Sequence, residues 1–350
     1  MLRHCGDDSL SSVVAIGPRD AWALGQPQWS TAPGCGADVE HWDGTAWRRV
    51  PVPADAFLGD ALTLPFAAAS ASDAWIFPAR ATQSASSYSE YNYALHWDGT
   101  AWQASSFPAR LIVQNAAALS PDDGWAFGVI QTSAATTAPF TAHYNGRAWQ
   151  QVKLPVAPLA ISSAGRDLWV IGPAATTAAS AASGQHILAM RWNGRSWSQL
   201  AVPGIAIPTG QSFTSTSSLA TDGSGGLWWY YQVTVTDDTW RSGLLHWDGT
   251  AWHTIPVPGA ITGFDAMTQD GHGGIWLAAG TGLDEVRYWY HYSGGHWTRQ
   301  LVPAPSGYNT TLFGMSWIPG AASVWAVGEA DANVGNHTVG VIAQYGAWPD

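Results

Sequence analysis

Lysine is almost missing from this chain of 350 residues: Lys153 stands alone, and Lys and Arg together number 14 against 25 Asp and Glu. A formal net charge of −11 with no basic run excludes the electropositive surface that nucleic acid requires, so no nucleic-acid partner is expected. Charged residues make up 11% and hydrophobic residues 46%, a balance that excludes a disordered chain. No apolar run approaches the roughly 18–20 residues of a membrane-crossing helix, so no membrane span is expected. The opening MLRHCGDDSL lacks the apolar stretch of a secretory signal. Cysteine occurs at Cys5 and Cys35 alone, without CxxC spacing, which excludes a zinc knuckle. No metal and no cofactor is expected. Loops rich in Ala, Ser, Thr and Gly, with so little lysine, point to an extracellular or cell-surface setting; this would be the mature or excised part of an exported chain. A cytoplasmic setting is the alternative.

What the chain has is tryptophan, 23 copies of it, set in two alternating words. HWDGTAW stands intact at 41–47, 96–102 and 246–252, with variants at 143–149, 191–197 and 291–297 and a shortened QYGAW at 344–348. Between these fall short apolar runs around a Trp, such as AWALG (21–25), GWAFG (124–128) and VWAVG (324–328). Seven alternations of a roughly fifty-residue unit imply a repeat architecture. Each unit reads as four strands, A to D. Strand A is a small-residue run such as Ser12–Ile16, and strand B carries the first Trp word. Strand C ends at His-Trp, an Asp-Gly or Asn-Gly hairpin follows, and strand D opens on the next Trp. Strand D is expected to stop at Pro51, Pro108, Pro155, Pro203, Pro256 and Pro303, because proline cannot donate to a ladder.

The expected fold is therefore all-β, a single seven-bladed β-propeller over 1–350 with four antiparallel strands per blade. Its blades fall at about 10–53, 61–108, 113–155, 156–203, 211–258, 260–305 and 311–350. The last unit runs out before its strand D, so residues 1–9 are expected to pair there and close the ring. The repeated tryptophans are expected to fill the seams between blades. The words resemble those of Kelch-type propellers, in which an apolar strand ending in glycine precedes an aromatic in strand C and a Trp opening strand D. Gly25, Trp42 and Trp47 stand at those positions, with one glycine where Kelch repeats carry two. They are also similar to bacterial secreted repeat proteins with HWNGTSW and WAVG words, and DGHGGIWLAAGTGL (270–283) is similar to the propeller repeats of bacterial two-component sensors. These resemblances imply a propeller fold and a binding role, and no catalytic residue.

In such a blade the A–B and C–D turns share one face of the ring, and the B–C and D–A loops share the other. The first set is short and repetitive; the second is long and different in every unit. Variable loops on a rigid scaffold are where binding concentrates. The candidate ligand-binding residues are therefore Trp29, Arg80, Tyr88, Tyr91, Arg110, Asp237, Asp238, Trp240, Arg241 and Tyr308, with Glu90 beside them. Trp240 is the expected principal contact. A disulfide between Cys5 and Cys35 would pin the tail to blade one and contribute about 3–4 kcal/mol; free thiols are the alternative.

The histidines His41, His96, His143, His246 and His291 occupy one repeat position, which suits a structural hydrogen bond better than a metal. Asp20, Asp73, Asp123 and Asp167 recur two residues before the strand B Trp and are expected to accept backbone N–H bonds. A sialidase would need clustered arginines, and Arg80, Arg110, Arg241 and Arg287 are not tied by any motif. A glycosidase needs paired carboxylates, and Asp265 is the one acid placed in a channel-lining strand. The expected function is a non-catalytic binding module for a glycan or protein ligand, acting as a monomer. A hydrolase or lyase using loop carboxylates and arginines is the alternative.

Overall fold

A computed structural model describes residues 8–27, 38–53, 56, 64–84, 87–133, 136–174, 185–207, 218–236, 239–259, 261, 263–281, 286–304, 306, 308–332 and 338–346. Their strands form six sheets of four antiparallel strands, in the order A-B-C-D along the chain, and a seventh of three, in the order A-B-C. Blade one shows the plan: Asp8–Gly17, Asp20–Pro27, Asp38–Trp42 and Trp47–Arg49. No helix occurs among the described residues. Blade two carries an extra hairpin, Ala79–Ser84 with Ser87–Asn92, between its strands B and C.

The Asp-Gly turns form as their sequence dictates. Trp42 pairs with Trp47 across the first of them, and Gly44 takes φ +90°, a conformation that side chains avoid. Asp43 Oδ1 accepts the N–H groups of Thr45 and Ala46. Asp98 and Asp248 repeat the arrangement with Thr100, Ala101, Thr250 and Ala251. Hydrogen bonds from the threonine hydroxyls, together with the backbone N–H groups, hold all three carboxyls well below the ordinary range. Glycine at the end of the strand B word has another cause. Strand A bulges between Val113 and Asn115, and a Cβ at Gly128 would strike the Ile112 carbonyl.

Strand C sets its histidine opposite the strand B Trp: Trp22 with His41, Trp75 with His96, Trp125 with His143, Trp228 with His246, Trp276 with His291. The rings lie 3.9–4.5 Å apart, close to parallel in the last four. Each imidazole Nε2 meets a carboxylate at 2.7–3.2 Å, from Asp20, Asp73, Asp123, Asp222 and Asp270. The first three of these acids thus serve side chains rather than backbone: Asp73 and Asp123 also accept the indole N–H of Trp75 and Trp125. Blade four substitutes Arg191 with Asp167 at 2.6 Å, and blade seven a neutral pair, Gln344 with Ser323.

Tryptophan also joins the blades. The strand B ring of one blade packs edge-on against the strand C and D rings of the next: Trp75 on Tyr144 and Trp149, Trp125 on Trp192 and Trp197, Trp276 on Tyr345. Strand D indoles reach back one blade, Trp102 to the Pro51 carbonyl, Trp252 to Ala201 and Trp297 to Pro256. The apolar residues accordingly form seven clusters, one at each seam. Trp325 of blade seven, against Trp42 and Trp47 of blade one, closes the circle.

Two further expectations are corrected. Asp8 and Ser9 do not complete blade seven; they pair with Pro27 and Gln26 inside blade one. Residues 1–7 lie outside the described ones. Blade four's last strand, Trp197–Ile207, runs past Pro203. Its register breaks between Leu188 and His186, so the proline sits in an irregularity where no N–H is asked for.

Candidate functional site

The B–C/D–A face carries one built cluster among the described residues. In the extra hairpin of blade two, Arg80 pairs with Tyr91 across the strands. Residues two apart share a strand's face, so Tyr91 and Tyr93 lie on one side of this ribbon. The Arg80 guanidinium lies over the Tyr93 ring, 4.4 Å from its centre, and that of Arg110, from the blade two–three connection, over Tyr91 at 5.2 Å. Tyr93 is buried, Tyr91 half-buried and both arginines are exposed. Asn92 anchors the ribbon, donating to the Phe77 carbonyl and accepting the Val113 N–H. Neither arginine pairs with a carboxylate among the described residues.

The other candidates do not join this cluster. Tyr88 pairs with Gln83 at the far end of the ribbon. In blade five Trp240 pairs with Thr234 and Arg241 with Val233, one and two places back from the hairpin tip; Arg241 is exposed. Tyr308 opens strand A of blade seven, opposite Ala332, and is half-buried. Trp29, Asp237, Asp238, Cys5 and Cys35 lie outside the described residues, as do the side chains of Tyr88, Glu90 and Trp240.

Asp265 sits on a bulge of the inner strand Gly263–Gln269. It has the partner that sequence reasoning did not find: Arg287 Nε stands 2.9 Å from its Oδ2. Burial outweighs that pairing and pushes its carboxyl up to about 6. The guanidinium has room because Gly280 faces Arg287 across the strands, and a Cβ there would meet its terminal nitrogen. The spacing of 22 residues between acid and base, on strands A and C, is no recognisable motif. No group of three His, Cys, Asp or Glu suited to a metal occurs among the described residues.

A cavity of about 710 Å³ lies in the centre of the ring, lined by strand A of every blade and reaching the A–B turns at Arg166 and Pro319. No carboxylate is among its lining residues. A second hollow of about 500 Å³ opens between blades five and six beside His253 and His272.

No protein-family model matches the chain, and no curated protein matches it in sequence. The Kelch-type resemblance therefore rests on the repeat words alone. Solved structures do match. One is YCF48 bound to D1 peptide, with a TM-score of 0.52 and 12% identity over 98% of this chain and 93% of that one. Another is the β-propeller domain of the Trilobed protease from Pyrococcus furiosus, described as having an open velcro topology. It has a TM-score of 0.55 and 10% identity over 98% of this chain and 99% of that one. A puromycin-hydrolyzing peptidase of Mycobacterium tuberculosis matches 96% of this chain with 53% of its own length, at a TM-score of 0.52 and 13% identity. At such identities the likeness is one of fold, and the chain is a seven-bladed β-propeller.

Proposed function

We propose that the chain is a non-catalytic binding module whose B–C/D–A face takes a carboxylate-bearing segment of another protein. The observation that carries this is the pair of guanidiniums laid on Tyr93 and Tyr91. A guanidinium stacked on a ring keeps its in-plane N–H fork free, and that fork matches a carboxylate. Arginine and tyrosine are also the side chains that dominate protein interfaces. The ring gives the cation a fixed posture, so less entropy is lost when a partner binds. A propeller of like fold, YCF48, has been solved with a bound peptide, which supports a peptide segment by analogy of fold. The chain is negative overall, so an acidic partner is repelled at long range; discrimination then rests on the contact itself.

The test is a peptide array, from neutral to acidic, read at physiological ionic strength with the intact chain, and beside it a glycan array. Acidic peptides are expected to bind, and Arg80→Ala with Arg110→Ala to weaken them at least about tenfold without moving the melting temperature. Binding of glycans alone, or unchanged peptide binding by the double variant, overturns the reading. The hydrolytic alternative draws on one observation, the buried Asp265 beside Arg287, its carboxyl pushed up to about 6. Turnover of glycoside or peptide substrates that is lost in Asp265→Asn would put an enzyme in place of a binding module.

A further inference from the structure

We propose that the central cavity is a second ligand site, opening on the opposite face, for a small carboxylate with a compact apolar body. The inference stands apart from the arginine–tyrosine cluster and uses none of its residues.

The cavity has two unlike walls. Blades one to three present Val14, Ile16, Ala68, Ala116 and Leu119. Blades four to seven add hydroxyls, from Ser162, Ser163, Thr221, Thr268 and Ser316, between apolar residues such as Leu219, Met267 and Met315. Among the described residues, the hydroxyls of Ser162, Thr221, Thr268 and Ser316 are engaged as acceptors. Ser162 accepts the Thr221 N–H at 3.1 Å, Thr268 the Trp317 N–H at 2.9 Å, and Ser316 the Ala15 N–H at 2.9 Å. Blade five has Ala220 opposite its Trp228, where a hydroxyl would be needed. Thr221 serves instead, accepting from the Gln269 amide at 3.2 Å. Each bond crosses from one blade to the next, so the arc from blade four round to blade one is stitched by hydroxyl acceptors. A hydroxyl that accepts an N–H still has its own proton to donate. The arc is therefore a wall of donors.

At its rim stands Arg166, exposed, and without a carboxylate partner among the described residues. It is the one charged residue lining the cavity. Donors, one cation and no lining carboxylate select an anionic acceptor; the alanine wall opposite selects hydrocarbon. The volume of about 710 Å³ falls within the roughly 300–1,000 Å³ of small-molecule sites. The lining hydroxyls are confined to one side of this room.

The probe is hexanoate, titrated into the intact chain by calorimetry. Hexanol is the uncharged control, and N-acetylglycyl-leucine tests whether a peptide C-terminus is the better source of the carboxylate. Saturable one-to-one binding of hexanoate or of the peptide is expected, with hexanol at least about tenfold weaker. Arg166→Glu is expected to abolish carboxylate binding; Arg166 is exposed, so the fold is untouched. Ala116→Phe, which fills the apolar wall, is expected to abolish binding of all three probes. No saturable binding below about 10 mM, hexanol binding as tightly as hexanoate, or binding unchanged by Arg166→Glu overturns the proposal. The Arg80 and Arg110 substitutions are expected to leave hexanoate binding as it is, so this site and the proposed protein-binding face fail or stand separately.

Discussion

Replacing Asp73 by alanine should destabilise the propeller far more than any other single acid in blade two. Asp73 is fully buried. Its Oδ1 receives His96 Nε2 at 2.7 Å and the Trp75 indole N–H at 3.1 Å, while His96 and Trp75 stack at 3.9 Å with planes 8° apart. Truncation removes a charge-assisted bond, worth about 1.5–3 kcal/mol, and leaves a buried indole donor unmet, which costs about 1–3 kcal/mol more. A loss of about 3–5 kcal/mol is expected. With a urea slope of about 3 kcal/mol per molar, the midpoint falls by about 1–1.7 M. Asp73→Asn keeps the acceptor and the shape but not the charge, and about 1–2 kcal/mol should be lost. Asp98→Ala, on the exposed turn of the same blade, is the control and should move the midpoint little. The assay is urea unfolding followed by tryptophan fluorescence. If Asp73→Ala shifts the midpoint no more than Asp98→Ala does, the His–Asp–Trp arrangement is not what holds the blade.

Acid should loosen the ring through the same groups. Burial would raise the Asp222 carboxyl, but hydrogen bonds from His246, Ser224 and Gly226 bring it down to about 2. Its contribution, about 1–2 kcal/mol after screening, is present above pH ~4 and is lost as pH falls toward 2; Asp222→Asn should flatten that limb of the stability curve. Asp265 acts in the opposite sense. Its folded-state value of about 6 makes the fold most favoured below pH ~4, with up to about 3 kcal/mol lost as pH rises through 6, and Asp265→Asn should remove the decline measured between pH 4 and 7. Trp325→Ala should cost about 3–5 kcal/mol, and hydrogen exchange should accelerate in Asp8–Gly17 more than in blade four, because Trp325 joins the first blade to the last.

Blades five and six show why part of this was hidden. Asp222 and Asp270 stand six residues before their Trp, not two as in blades one to four. A longer Gly-rich turn, with Oδ1 accepting the Gly226 and Gly274 N–H groups, returns each carboxylate to the same histidine. A pattern counted from the Trp misses them; a pattern counted from the histidine, 24 and 21 residues on, would have found them. On the candidate face, Arg80, Tyr91 and Arg110 were picked as variable loop residues. That Arg110 lies on Tyr91 depends on a hairpin inserted in one blade meeting the connection to the next.

The sequence by itself determined the blade: strand order, the Asp-Gly turn, the glycine after strand B and the seam-filling tryptophans are set by contacts between residues within about one repeat of one another. Closure was decided elsewhere. Trp325 meets Trp42 across nearly the whole chain, and Ala15 donates to Ser316, 301 residues away. The confinement of the cavity's hydroxyls to blades four to seven follows from the same closure. Each strand A contributes only a few lining residues, and no single repeat records what its six counterparts place opposite. Only when the seams bring seven inner strands round one axis do those residues share a surface, because packing, unlike hairpin formation, is blind to distance along the chain.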